Sequence, residues 1–199
     1  MKKTLILLTT LLMTVGVRAD EGMWLLPLLE KMNGKALAEA GCQLTPDQIY
    51  SINHNSLKDA IVHFGGGCTG EIISAEGLLV TNHHCGYSSI QGLSTPEHNY
   101  LMDGYWAMTR AGELPVPGLT VTFLESMTDV TAAVTKAFAK IEKQHKDDAE
   151  ARQKAEEEAI KALTDAARKD HPGCNVSIRS FYNDNVYYQI VSKVYRDVR

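Results

Sequence analysis

Two histidines beside a cysteine form the part of the sequence whose residue types could carry out chemistry. His83 and His84 are followed directly by Cys85, and a hairpin-like stretch separates them from Cys68. A histidine that acts as a general base needs a fixed position, which a disulfide at the end of a strand can supply. Because a hairpin brings its far ends side by side, the two cysteines can come within the ~5.5–6 Å between Cα atoms that a disulfide requires. We therefore predict a Cys68–Cys85 bridge that pins the loop carrying both histidines.

A metal site and a phosphate site are weaker interpretations of the same region. Adjacent strand residues such as His83 and His84 cannot easily converge on one zinc ion, and no C-x-x-C or H-x-x-x-H partner accompanies them. The glycines at 65–67 are followed by no lysine at P-loop spacing and by no helix start, so turn chemistry explains them better. We expect neither a metal nor a cofactor. Cys42 and Cys174 could pair with each other or stay free, and free thiols are favoured.

Short strands separated by turn signals must position these side chains. The apolar run at 61–64 ends at the glycines, 71–74 is strand-like, and 78–81 is a fully apolar strand after a glycine turn. Alternation with period two at 119–124 predicts a half-buried strand. A further strand is predicted at 187–198, close to the end of the sequence.

Helical patterns flank the predicted strands. Apolar residues between 23 and 40 recur at helix-like spacing, and Gly41 is the expected stop. Residues 128–170 are rich in Ala, Lys, Glu and Gln and contain neither Gly nor Pro, which predicts one long exposed helix or a helical hairpin broken near 147–148. A solvated helix face explains this charge run better than a binding function. Two isolated aromatic residues are expected in the core, Trp24 and Trp106.

The first 19 residues have the pattern of a secretory signal peptide. Lys2 and Lys3 precede an apolar stretch from Leu5 to Val17, and Val17 and Ala19 occupy the −3 and −1 positions of a cleavage site. This stretch is shorter than the ~20 apolar residues that a transmembrane helix requires. We therefore expect export without stable membrane insertion, into a compartment where disulfides persist.

The composition is that of a soluble globular protein. Of 199 residues, 44% are hydrophobic and 22% are charged, which excludes wholesale disorder, and the single long apolar run excludes a polytopic membrane protein. The formal net charge is −4, and removal of the basic residues in the leader makes the chain more acidic. This balance argues against nucleic acid as a partner.

Five segments carry a resemblance to a known family. They are DEGMWLL at 20–26, FGGGCTG at 64–70, TNHHCGY at 81–87, EHNYL at 97–101 with DG at 103–104, and ELPVPGL at 113–119. The third is similar to the Thr-x-x-His-Cys motif of chymotrypsin-like serine peptidases, whose cysteine pairs with one that precedes a strand. All five in this order resemble the bacterial dipeptidyl-peptidase 7 / dipeptidyl-peptidase 11 family of serine exopeptidases. The similarity runs from the start of the mature chain to Arg199.

The resemblance implies both a fold and a catalytic role. The fold is mixed and mainly β, with part of a chymotrypsin-like double β-barrel (the first barrel), N-terminal helices and a helical insertion. The activity is release of dipeptides from free peptide N-termini by His, Asp and Ser in that chain order. Residue-by-residue matching makes His84, next to Cys85, the general base. His83 is then a packing neighbour, because adjacent strand residues point to opposite sides.

The Asp and Ser motifs of that family have no counterpart in this sequence. Asp103, Asp129 and Asp197 match no Asp motif, and no Gly-x-Ser-x-Gly occurs. We therefore expect an N-terminal fragment, inactive alone, of a serine-type dipeptidyl-peptidase located in the periplasm or at the cell surface. The resemblance implies peptide substrates and, since family members tend to dimerise, a homodimer of the full-length form; the family includes members that prefer a hydrophobic and members that prefer an acidic second residue. The alternative is a secreted non-catalytic peptidase-like binding module.

These interpretations divide the chain into five parts. They are a signal peptide at 1–19, an N-terminal helical segment at 20–59, a first-barrel part with the catalytic histidine at 60–127, a helical insertion at 128–172, and truncated returning barrel strands at 173–199.

Overall fold

The structure is a computed structural model that describes residues 23–199, so the predicted signal peptide lies outside the described residues. The chain divides into two compact units, Met1–Pro46 and Asp47–Arg199. Among residues 23–199, no helix combines the length and the apolar character needed to cross a membrane.

The described part of the first unit is helical. A 3₁₀ turn at Leu26–Leu28 leads into helix α1, Leu29–Glu39. Gly41 then adopts a φ of 87°, and the amide of Cys42 donates to the carbonyl of Leu37 at 3.0 Å. Because only glycine adopts this left-handed conformation at little cost, Gly41 ends the helix, which confirms the predicted stop.

The second unit consists of a six-stranded antiparallel sheet with helices between its strands. The strands are β1 Ile61–Phe64, β2 Cys68–Ile72, β3 Leu79–Val80, β4 Val121–Asp129, β5 Asn175–Phe181 and β6 Val186–Tyr195. Their order across the sheet is β3-β2-β1-β4-β6-β5. The helices are α2 Pro46–Ile49 at the boundary between the units, then α3 His83–Leu93, α4 Tyr100–Asp103, α5 Thr131–Gln144 and α6 Ala149–Asp170, with 3₁₀ turns at Leu57–Ala60 and Arg110–Gly112.

One hydrophobic core lies where β1 meets β4. Val62, Phe64 and Val121 are buried, and Phe64 lies opposite Val121 in the register of the two strands. Strand β1 alternates exposed and buried side chains, as a half-buried strand does. Each of these buried side chains stabilises the fold by about 1.5–3 kcal/mol relative to full exposure. Cys68 and Cys85 pack against the same core.

The mixed fold class is confirmed, and two parts of the expectation change. More residues are helical than extended, because α5 and α6 are long. The sheet also stays open within the described residues instead of closing into a barrel. Its edges are β3, which has two residues and pairs only with β2, and β5, which pairs only with β6. Closure would require these edges to pair with each other or with further strands.

The insertion between β4 and β5 is the helical hairpin and not the single long helix. The carboxylate of Asp148 accepts a hydrogen bond from the amide of Ala151 at 2.9 Å and so caps α6 at the predicted break. Val134 and Ile141 are the buried residues of α5. The ring of Phe138 meets that of Tyr187 on β6 edge to face, with 5.8 Å between centroids.

Two further features differ from the sequence-based expectation. Strand β5 lies within the segment 173–199 that is assigned to returning barrel strands, but its own bounds are not predicted, although Asn183 and Asp184 signal the turn after it and both adopt positive φ. Trp106 was placed in the core, but 88% of it is exposed in the irregular segment after α4. The rule that isolated aromatics are buried failed there because no regular element orders that segment. Trp24 is half-buried.

The cap of α6 gives a stability prediction. We expect Asp148→Ala to lower the free energy of unfolding by about 1 kcal/mol, because one amide of the first turn loses its acceptor. Urea denaturation measures the effect. Asp147→Ala removes the same charge one residue earlier and serves as the control, with a change within about 0.5 kcal/mol. Equal losses in the two variants would contradict a specific cap.

Candidate active site

His83 and His84 are the first two residues of helix α3. Asn82 precedes them in an extended conformation, and its carbonyl accepts the amide of Cys85 at 3.0 Å, which closes the first turn. The sequence-based argument placed the two histidines on a strand, pointing to opposite sides. That premise is wrong, because the strand ends at Val80 and consecutive helical residues diverge by about 100° and not by 180°.

The Cys68–Cys85 disulfide is present, with 6.0 Å between the Cα atoms. Cys68 begins β2 and Cys85 lies in the first turn of α3, so the bridge fastens the helix start to the sheet. The bridge reaches the hydrophobic core, because both cysteines pack against the cluster that contains Val62 and Phe64. The position of the first turn of α3 is therefore tied to the buried core between β1 and β4.

His84 lies directly beside this bridge. One of its ring nitrogens is within 4.8 Å of the sulfur atoms of both Cys68 and Cys85, and its side chain is exposed. The three residues do not form a zinc site, because sulfur atoms joined in a disulfide are not thiolates and thiolates are the zinc ligands. The arrangement leaves an exposed imidazole on a covalently fixed backbone, which suits a group that exchanges protons with a substrate.

His83 has a different environment from His84. Its ring packs edge to face on Tyr87, one helical turn later, with 5.7 Å between centroids. Residues four apart on a helix lie on the same face, so this pair belongs to the surface of α3. The two histidines are thus distinguished by their neighbours, an aromatic ring for His83 and the disulfide for His84.

The segment that leads into α3 makes a further contact with β2. The hydroxyl of Thr81 donates to the carbonyl of Thr69 at 2.6 Å. Just before it, Leu79 on β3 lies so close to Gly70 on β2 that a Cβ at Gly70 would be 3.0 Å from the leucine side chain. The sequence places Thr81 at the end of the predicted strand 78–81 and in the histidine motif but does not predict this contact.

The glycines at 65–67 form the turn between β1 and β2, as predicted. Gly65 has a φ of 58°, and its amide donates to the carbonyl of Thr120 at 2.9 Å. An open cavity of about 460 Å³ lies between this turn, Ser89 on α3 and the segment 116–120. The turn thus connects β1, β2 and the start of β4 near the helix that carries His84.

The three candidate carboxylates make contacts elsewhere or lie on the surface. Asp129 accepts the amide of Thr131 at 2.9 Å, and hydrogen bonding from Thr131 lowers the pKa of this carboxyl. Asp197 pairs with Arg199 at 3.1 Å, whose hydrogen bond and positive charge lower the pKa of Asp197. Asp103 is exposed at the end of α4. Within residues 23–199, no carboxylate forms a hydrogen bond to the His84 ring.

The remaining two cysteines form no disulfide. Cys42 and Cys174 are both free, half-buried thiols, in agreement with the favoured interpretation.

Comparison with known proteins points to one family. The model of the Peptidase S46 family matches residues 19–199. A dipeptidyl-peptidase 7 from Capnocytophaga gingivalis is 45% identical over 205 residues, which cover 100% of this chain and 27% of that protein. An Asp/Glu-specific dipeptidyl-peptidase from Porphyromonas gingivalis is 41% identical, with coverage of 100% of this chain and 28% of that protein. The chain thus spans about a quarter of the length of these relatives.

The fold is also similar to that of a solved structure. The crystal structure of Porphyromonas endodontalis DPP11 in complex with the dipeptide Arg-Glu matches with a TM-score of 0.72 and 38% identity. The match covers 89% of this chain and 26% of that one. At this identity, the likeness extends to the sequence as well as to the arrangement of helices and strands.

The bridge beside His84 gives a prediction with a matched control in the same chain. We expect the double variant Cys68→Ser/Cys85→Ser to lose about 3 kcal/mol of unfolding free energy, because a closed loop of this size restricts the unfolded chain by that amount. Cys42→Ser/Cys174→Ser also removes two sulfur atoms but no bridge, and should cost less than about 1 kcal/mol. Urea denaturation without reductant compares the two. A similar loss in both variants would contradict the stabilising role of the bridge.

Proposed function

The chain belongs to the peptidase S46 family, and from that premise we propose that it supplies the general base, His84, of a serine-type dipeptidyl-peptidase. The observation that carries the proposal is the placement of the exposed His84 imidazole beside the Cys68–Cys85 bridge at the start of α3. A general base needs a fixed backbone and an accessible ring. His84 combines an exposed ring with a backbone next to the bridge, whereas His83, which is also exposed, packs its ring on Tyr87.

The proposed chemistry is acyl transfer to a serine. The hydroxyl of the serine attacks the carbonyl carbon of the scissile peptide bond while His84 accepts the hydroxyl proton. The same imidazole then returns the proton to the departing amine, and a water molecule repeats the sequence to release the dipeptide. A carboxylate holds the imidazole in the correct orientation. We place the serine and this carboxylate in the full-length protein, outside the residues described here.

The proposed substrates are peptides with a free N-terminus. Relatives named dipeptidyl-peptidase 7 and Asp/Glu-specific dipeptidyl-peptidase match this chain at similar identity, 45% and 41%. The related DPP11 has been solved with the dipeptides Arg-Glu and Arg-Asp. A preference for either a hydrophobic or an acidic second residue is compatible with these relationships.

We also propose that the protein is exported to the periplasm or the cell surface. Two observations support this location. The first 19 residues have the signal-peptide pattern, and the bridge beside His84 is a disulfide, a bond that persists in oxidising compartments. A fusion of the first 19 residues to a reporter enzyme that is active only after export tests the location directly.

A pair of single variants in the full-length protein tests the catalytic assignment. We expect His84→Ala to lower kcat at least about a thousandfold on a dipeptidyl reporter substrate, because loss of the base removes most of the effect of a triad. His83→Ala removes an imidazole one residue away and should keep kcat within about tenfold. Steady-state kinetics with a free N-terminus on the substrate measures both variants.

Other outcomes of this experiment would contradict the proposed function or indicate a different one. Equal activity of His84→Ala and the unmodified protein would contradict the assignment of the base. Cleavage of the same substrate with a blocked N-terminus would indicate an endopeptidase. A full-length protein that cleaves neither substrate would favour a non-catalytic binding module.

A further inference from the structure

Two tethers hold the segment that carries His84, and both are anchored on neighbouring residues of one strand. The disulfide joins Cys85 to Cys68, and the hydroxyl of Thr81 donates to the carbonyl of Thr69 at 2.6 Å. His84 lies between Thr81 and Cys85 in the chain. Its backbone therefore spans two fixed points that start from adjacent positions of β2.

The hydrogen bond from Thr81 lies directly after Val80, where the pairing of β3 with β2 ends. Strand β3 pairs with β2 through only two residue pairs, the last of which joins Val80 to Glu71. Among the described residues, the bond from Thr81 is the one hydrogen bond that ties the segment between Val80 and Cys85 to another element. Without it, the four residues between Val80 and Cys85 would have no hydrogen bond to β2.

The anchor itself is firmly placed. Thr69 pairs with His63 of β1, and Cys68 pairs with Phe64 of the buried core. Strand β2 is thus bonded to β1 on one side while its Thr69 carbonyl accepts the hydroxyl on the other. A bond to this carbonyl fastens Thr81, two residues before the start of α3, to the sheet.

A single covalent bridge does not define the direction of the group attached to it. A disulfide holds its two Cα atoms within a narrow range of distances but does not by itself fix the flanking backbone dihedrals. A second contact, four residues earlier, restricts those dihedrals further. Because a general base has to be held within a fraction of an ångström and about 10–20° of its productive geometry, this second contact bears directly on the proton transfer.

We propose that Thr81 is a positioning residue for the general base: its hydroxyl, held by the Thr69 carbonyl, orients the first turn of α3 and so the His84 imidazole. The inference rests on the proposed role of His84. Thr81 does not contact the substrate in this account and acts only through His84. Its loss should therefore slow the chemical step and leave substrate binding nearly unchanged.

Three substitutions in the full-length protein test the proposal. Thr81→Val keeps the shape of the side chain and removes the hydroxyl, and we expect kcat to fall about tenfold with KM within about twofold. Thr81→Ser restores the hydroxyl and should return kcat to within about threefold of the unmodified enzyme. Thr135→Val is the control, because the hydroxyl of Thr135 also donates to a main-chain carbonyl, that of Thr131 on α5 at 2.8 Å, but holds no part of the His84 segment; its kcat should not change.

The outcomes separate this inference from the proposed function. An unchanged kcat in Thr81→Val, or a Thr81→Ser variant as slow as Thr81→Val, would overturn the positioning role even if His84→Ala is inactive. A rise in KM at constant kcat would also overturn it, because it would indicate a role in substrate binding. Failure of the proposed function is detected independently, by activity in His84→Ala, in which Thr81 is intact.

Discussion

The disulfide between Cys68 and Cys85 is the interaction on which the candidate site depends. It joins the first turn of a helix to the first residue of a strand whose partner, β1, contributes the buried Val62 and Phe64. A helix start held only by its own hydrogen bonds frays, because its first amides have no partners within the helix. The bridge adds a covalent connection between this helix start and a strand that packs against the hydrophobic core. The backbone of His84 is thereby held close to the core while its imidazole stays exposed.

Within the second unit, the candidate site lies next to β2 and β3, and the helical insertion lies between β4 and β5 in the chain. Strand β4 is the element that links the two, because it pairs with β1 beside the bridge and with β6 beneath the helices. Helices α5 and α6 bury Val134 and Ile141 and present their charged residues to solvent. The insertion thus has its own apolar contacts, with Phe138 against Tyr187, and can be added to the sheet without disturbing the core below the bridge.

The local patterns of the sequence predicted the local structure well. The hairpin between the two cysteines, the stop at Gly41 and the break near Asp148 depend on turn and capping chemistry that acts over a few residues. The start of α3 was missed because His83 to Gly86 carries no helix-favouring pattern; Asn82, a residue often found before helices, was the available signal. Whether the sheet closes depends on pairing between distant edges, β3 and β5, which no local pattern encodes.

The preference for His84 over His83 now rests on a different physical ground from the one that the sequence offers. Opposite faces of a strand were invoked to separate the two side chains, yet both lie in one helical turn. What separates them is the order of the chain: the residue next to Cys85 lies against the bridge, and the residue before it can reach Tyr87 one turn later. In the proposed enzyme a carboxylate from outside the described residues orients the imidazole ring, whereas the backbone that carries the ring has to be held from its own side. Attachment to two adjacent residues of β2, one by a covalent bond and one by a hydrogen bond, meets that requirement with short-range contacts alone.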